Sequence, residues 1–195
     1  VDISGTVTYD SVPVTGTGLN YAGTVQMPIR RTVVEAVRDS DSVVLDSTVT
    51  DESGNYTLTV PASVSMLVRV KARLLQAGAP SWDFQVVDNT SGQALYVLDS
   101  APFDSGTAGV SGRDLNADSG WGGSSYTSTR AAAPFAILDT VCTGIDLLLQ
   151  ADASLEMPPL LINWSVNNIA ADGDPADGYI STSNFDPNTG ELYIL

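Results

Sequence analysis

Two aspartate clusters are the groups in this sequence best equipped to hold a ligand. Asp114-Leu115-Asn116-Ala117-Asp118-Ser119-Gly120 sets three oxygen-bearing side chains at alternate positions. That spacing is the one at which a loop of the EF-hand type wraps carboxylates around Ca²⁺. The glycine falls one place late and no distal glutamate follows, so a calcium loop and an Asx-rich turn both fit. Asp172, Asp174 and Asp177 form a second cluster with the same two readings. If the chain takes a cofactor, Ca²⁺ is the one these residues point to.

Other chemistry is narrowed by what the composition lacks. There is no histidine, which excludes Ser-His-Asp and Cys-His catalysis and His-ligated zinc. Cys142 is the sole cysteine, so no internal disulfide or thiolate metal cluster can form. Its position inside a periodic apolar run reads as a buried thiol. Trp82, Trp121 and Trp164 read as core anchors, with a carbohydrate-stacking platform as the alternative. Asn55-Tyr56-Thr57, Asn89-Thr90-Ser91 and Asn163-Trp164-Ser165 match the acceptor pattern for N-glycosylation. The residues as a whole predict a protein that is not an enzyme.

Charge narrows the partners. The 195 residues carry 23 acidic side chains against 8 basic ones, a formal charge of −15. Such a chain repels nucleic-acid phosphates and anionic membrane surfaces. No run approaches ~20 continuous apolar residues, so no membrane span is expected. The sequence opens without Met on the strand-like Val1-Asp2-Ile3-Ser4-Gly5-Thr6-Val7-Thr8. With the Thr/Ser/Gly-rich, Lys-poor composition, this predicts an exported protein, extracellular or on the cell surface, whose signal peptide has been removed.

The elements that must position these residues are mostly strands. Residues 1–99 alternate as an antiparallel β-sandwich would. Thr32-Val33-Val34-Glu35-Ala36-Val37 and Val43-Val44-Leu45-Asp46-Ser47-Thr48-Val49-Thr50 read as successive strands. Leu67-Val68-Arg69-Val70-Lys71-Ala72-Arg73 alternates apolar with basic, one face buried and one wet. Trp82-Asp83-Phe84-Gln85-Val86-Val87 and Ala94-Leu95-Tyr96-Val97-Leu98 read as a hairpin. Residues 100–128, rich in Gly, Ser and Asp, read as a functional loop or linker. Residues 129–195 read as a small α+β region. Leu138, Val141, Cys142, Ile145, Leu148 and Leu149 recur at helical spacing, capped by Ser128 or Thr129. Leu160-Leu161-Ile162-Asn163-Trp164 reads as a buried strand, and Tyr179-Ile180-Ser181-Thr182 and Leu192-Tyr193-Ile194-Leu195 as the arms of a last hairpin.

Ile3-Ser4-Gly5-Thr6-Val7, together with Thr48-Val49-Thr50-Asp51-Glu52-Ser53-Gly54-Asn55-Tyr56-Thr57-Leu58-Thr59-Val60-Pro61, resembles the carboxypeptidase regulatory-like, transthyretin-like β-sandwich over residues 1–75. The resemblance implies a non-catalytic module of a secreted or surface protein. In the second half, Ser119-Gly120-Trp121-Gly122-Gly123-Ser124-Ser125-Tyr126 with Thr129-Arg130-Ala131-Ala132-Ala133-Pro134-Phe135-Ala136-Ile137-Leu138-Asp139, Pro159-Leu160 through Asn163-Trp164-Ser165, and Gly190-Glu191-Leu192-Tyr193-Ile194-Leu195 is similar to a region of bacterial secreted zinc-peptidase-like proteins. There it precedes a His-Glu-x-x-His helix, which this sequence does not contain, so no zinc ligand carries over.

Two functions are therefore expected. In the first, the chain is an extracellular structural module that builds a homo-oligomer, filament or surface layer by β-strand addition at its strand edges, its terminal strands included. In the second, it is the non-catalytic amino-terminal accessory region of a secreted zinc metallopeptidase, truncated or processed.

Overall fold

The computed structural model describes residues Val1–Leu195 throughout. The chain is mainly β with one α-helix, the expected class. Its strands in chain order begin β1 (Asp2–Ser11), β2 (Val14–Thr15), β3 (Gly18–Leu19) and β4 (Val25–Pro28). They continue β5 (Thr32–Arg38), β6 (Val44–Val49), β7 (Asn55–Thr59), β8 (Ser65–Gln76) and β9 (Trp82–Asp88). Four short strands follow: β10 (Ala94–Leu95), β11 (Val97–Asp99), β12 (Phe103–Asp104) and β13 (Leu115–Ala117). Helix α1 (Ala132–Ala151) leads to β14 (Leu160–Trp164), β15 (Asn184–Asp186) and β16 (Glu191–Ile194). Two compact units emerge, Val1–Lys71 with Val97–Asp139, and Ala72–Tyr96 with Thr140–Leu195. Both β8 and α1 contribute residues to each unit.

The first unit is built around β1. Alternation buries its Ile3, Val7 and Tyr9 on one face, and Tyr56 and Leu58 of β7 likewise. β7 pairs antiparallel with residues 2–6 of β1, and β4 with residues 8–11. In the other sheet β8, β5 and β6 lie in that order, with β11 and β12 also on β8. The inward row Met66, Val68 and Val70 of β8 and Val34 and Ala36 of β5 is buried. Each large side chain so placed contributes on the order of 1.5–3 kcal/mol.

The turn between β6 and β7 does not close a hairpin. β6 pairs with β5 and β7 with β1, so residues 50–54 carry the chain from one sheet to another. Asp51 organises this passage: its Oδ1 accepts the amides of Ser53 and Asn55, both at 2.8 Å. These bonds, that from Asn55 foremost, hold the Asp51 carboxyl below the usual aspartate range.

Residues 100–128 are woven into the first unit. Val110 and Arg113 exchange backbone hydrogen bonds with residues 2–4, and β13 then pairs parallel with Val7–Tyr9. Strand β1 thus has neighbours on both sides.

In the second unit the order is β15-β16-β14-β9-β8, with β14 parallel to both β9 and β16. Ile162 and Trp164 of β14 and Phe84 and Val86 of β9 are buried. The expected hairpin forms over Ala94–Leu95, with Asp88 capping the turn at Thr90 and Gly92 in the left-handed region, whereas Val97 and Leu98 of the expected arm pair with β8 instead. The C-terminal strand's antiparallel partner is Asn184–Asp186 rather than Tyr179–Thr182. Tyr179 makes only an isolated bridge to Ile169. Strand β16 is therefore internal to its sheet.

The helix starts at Ala132, whose amide donates to the Asp118 carbonyl, later than Ser128 or Thr129 would place it. It buries Ala132, Phe135, Leu138, Cys142 and Ile145 at three- and four-residue spacing. By length and composition it could cross a membrane, with mean hydropathy 1.6 over its best window, where the sequence reading expected no span. Asp139 within it accepts Arg30 Nε at 2.8 Å and the Tyr9 hydroxyl at 3.0 Å.

That network has a pH signature. Burial first, then the Asp139 carboxylate, push the Tyr9 phenol from 10 up to about 12. The folded value lies above the unfolded one, so this stabilisation is whole below pH 10 and is lost as pH climbs towards 12. Denaturant titrations from pH 8 to 12 should show stability falling only above pH 10. Tyr9, 3% exposed, should account for about 2 kcal/mol by pH 12, and Tyr9→Phe should remove that share.

Candidate functional site

The surface of the first unit best suited to bind something is uncharged. Residues 11–29 contain no Asp, Glu, Lys or Arg, in a chain of net charge −15. Pro13 and the glycines keep the stretch out of long regular structure. It folds as the β2–β3 hairpin, a short 3₁₀ turn at Tyr21–Gly23, and β4, the edge of its sheet. Val14 is 80% exposed, Val25 52%, Leu19 51% and Met27 39%.

Beside this stretch stands an aromatic cluster. The Tyr21 and Trp121 rings stack at 3.8 Å, and Tyr126 meets both edge-on. The Tyr21 and Tyr126 hydroxyls share a hydrogen bond of 2.7 Å, which holds the Tyr21 phenol above its usual value. The Arg130 guanidinium lies 3.6 Å over the Tyr126 ring. Backbone geometry fixes the cluster, since Trp121 bridges Tyr126 and the Gly120 carbonyl accepts the Thr127 amide. Gly120 has φ +79°, and a Cβ there would lie 2.6 Å from the Ser128 carbonyl oxygen. A cavity of about 200 Å³ opens alongside, lined by Leu19, Tyr126, Arg130 and Ala133 among others. Rigid aromatic rings with an arginine, next to exposed aliphatics, are the composition of protein-binding hot spots.

The Asp114, Asn116 and Asp118 triplet lies on and beside β13, where alternate spacing puts side chains on one side of a strand instead of around a point. Asp114 Oδ1 accepts the Thr6 amide at 2.8 Å. Asn116 accepts the Thr8 hydroxyl and donates to Asp10. Asp118 Oδ1 accepts the Gly120 amide at 2.6 Å. The structure thus gives these side chains hydrogen-bonding roles within the first unit.

In the second unit, Asp174 caps the 3₁₀ turn Pro175–Asp177 through the Ala176 amide. Asp172 and Asp186 line a depression of about 440 Å³ with Tyr179 and Tyr193, whereas Asp174 lines an adjoining one of about 360 Å³. Asp177 lines neither. No three carboxylates or thiols gather closely enough to hold a metal between them. Beside these depressions Tyr193 donates to Glu191 Oε2 at 2.6 Å. That bond, with burial, pushes the phenol up to about 12.

Of the other residues singled out from sequence, Trp82 and Trp164 are buried as core anchors, and Cys142 is a buried thiol. The amides of Asn89 and Asn163 are buried, so in the folded chain only the exposed Asn55 of the three glycosylation matches is accessible. Tyr21 carried no signal of its own in the sequence, and Arg130 and Asn89 figured only in a family resemblance and a glycosylation pattern. An uncharged run of this length in so acidic a chain was the available signal for the first.

No family model, curated protein or solved structure matches the chain.

Proposed function

We propose that the chain is a non-catalytic, exported assembly module that pairs with further copies of itself through the uncharged edge of its first unit. The observation that carries this reading is the charge-free stretch 11–29, which exposes Val25 and Met27 on the edge strand β4 and Val14 and Leu19 on the β2–β3 hairpin. Two copies of a chain carrying −15 repel wherever their acidic surfaces meet, so contact is favoured where that charge is missing. An open edge offers backbone hydrogen bonds, and the exposed aliphatics offer the burial that supports strand addition. Both terminal strands are already paired on each side, which moves the docking edge from the termini to β4. On this reading residues 1–75 serve as a transthyretin-like binding sandwich.

Sedimentation and light scattering across a concentration series should show oligomers that strengthen with salt, as screening weakens the repulsion. Val25→Lys with Met27→Lys should weaken association at least 10-fold without changing the circular dichroism. A monomer at every concentration up to ~100 µM would sink the proposal.

A second reading, an accessory region of a secreted zinc peptidase, draws on the pairing of β14 with β16. The separated segments Asn163-Trp164 and Tyr193-Ile194, which carry that resemblance, pair in register. The mass of the native protein discriminates: a product near 20.4 kDa favours the module, a much heavier one the peptidase.

A further inference from the structure

Asn89 is 4% exposed, yet half of its amide has no partner. Its Nδ2 donates to Asn168 Oδ1 at 2.9 Å and to the Pro175 carbonyl at 2.6 Å. Turning the amide over would set its oxygen against those two acceptors, so the orientation is fixed by chemistry. Oδ1 is left buried without a hydrogen-bond donor, a state that costs about 1–3 kcal/mol when nothing satisfies it.

The residue lines the depression of about 360 Å³ together with Gln93, Asn163, Asp174 and Tyr193. Neither this depression nor its neighbour, which shares Tyr193 and Pro175, is lined by any lysine or arginine. Every formal charge at their walls is a carboxylate. The polar groups facing this space are oxygens and amides, the donor set that hard cations take.

We propose that the second unit binds a single Ca²⁺ ion at Asn89 and Asp174, with water from the open depression completing its shell. Three features select an ion over an amine or a sugar. The unpartnered oxygen belongs to the buried wall of the depression, where only a small ligand reaches it. Calcium sits 2.3–2.6 Å from oxygen, closer than a hydrogen-bonding water. It also accepts amide and carbonyl oxygens alongside a carboxylate, so three clustered carboxylates are not needed. With so few charged ligands the affinity belongs to the weak range of extracellular modules, about 10⁻⁴–10⁻³ M. The site joins Asn89 to Asp174 across 85 residues of sequence, and Asp177 takes no part in it.

Terbium luminescence excited through tyrosine tests this directly, because Tyr193 lines the same depression. Tb³⁺ should give a saturable signal that Ca²⁺ competes away. Ca²⁺ at 10 mM should raise the melting temperature by about 3–8 °C over the chelated protein. Asp174→Asn keeps an oxygen for the Ala176 amide, so it should fold while losing Ca²⁺ affinity at least 10-fold. Asp177→Asn and Asp114→Asn should bind as the parent does. An unshifted melting temperature with no competed terbium signal would overturn the site. So would unaltered binding by Asp174→Asn, or binding abolished by Asp177→Asn or Asp114→Asn.

Discussion

Replacing Gly54 with alanine should cost about 2–5 kcal/mol and lower the melting temperature by roughly 5–15 °C. Two independent effects add. Gly54 has φ +77°, where a Cβ collides with its own backbone at roughly 1–2 kcal/mol. That Cβ would also lie 2.3 Å from the Val7 carbonyl oxygen, a backbone atom that cannot swing aside. The same junction carries a hydrogen bond from the Val7 amide to the Gly54 carbonyl at 2.8 Å. Relieving the clash therefore means parting the turn from β1. Gly144→Ala is the matched control, since a Cβ there meets nothing within 4 Å. Mid-helix, it should stabilise by about 1 kcal/mol. Urea unfolding of both variants separates a glycine needed for its conformation from one that is merely present; equal small effects would refute the account of the turn.

The Gly54 turn was legible in its local chemistry, because Asp51, Ser53, Gly54 and Asn55 lie within five residues, whereas its contact with Val7 and its passage between sheets were not. The alternation of β1, β5, β7 and β8 was legible for a related reason, since period-2 burial is written into each strand by itself. What escaped was structure made by distant pairing. Strand β13 is three residues long and exists because β1 lies alongside it. Its Asp-x-Asn-x-Asp spacing suits a strand as well as an ion-binding loop, and sequence cannot choose between them. The last hairpin went wrong for the same reason. Tyr179-Ile180-Ser181-Thr182 has more strand propensity than Asn184-Phe185-Asp186, but the tight turn Asp186–Gly190 pairs the residues next to it. The Tyr21–Trp121 stack joins residues a hundred positions apart, and nothing local announces it. Asn89 was visible only as part of a glycosylation pattern, because being buried and half-satisfied is a property of its surroundings.

Removing the Asp139 carboxylate should be the other large loss, about 2–4 kcal/mol for Asp139→Ala. Arg30 reaches Asp139 through two nitrogens, at 2.6 and 2.8 Å, and Tyr9 through its hydroxyl. The two charged side chains are only 20% and 22% exposed, so each relies on the other more than a surface pair would. After truncation Arg30 keeps Glu52 at 3.5 Å, a longer and more exposed partner. The Tyr9 hydroxyl loses its acceptor inside the first unit. Asp139→Asn separates charge from shape: its amide oxygen still accepts from Arg30, so about half the loss should return. Tyr9 supplies a readout that general loosening would not move in the same way. Its phenol is raised by burial first and by the Asp139 carboxylate second. In Asp139→Asn it should therefore titrate below about 12 yet above 10, and the alkaline loss of stability should shrink without disappearing. An Asp139→Asn protein that keeps the full alkaline slope would show that burial alone sets the Tyr9 value.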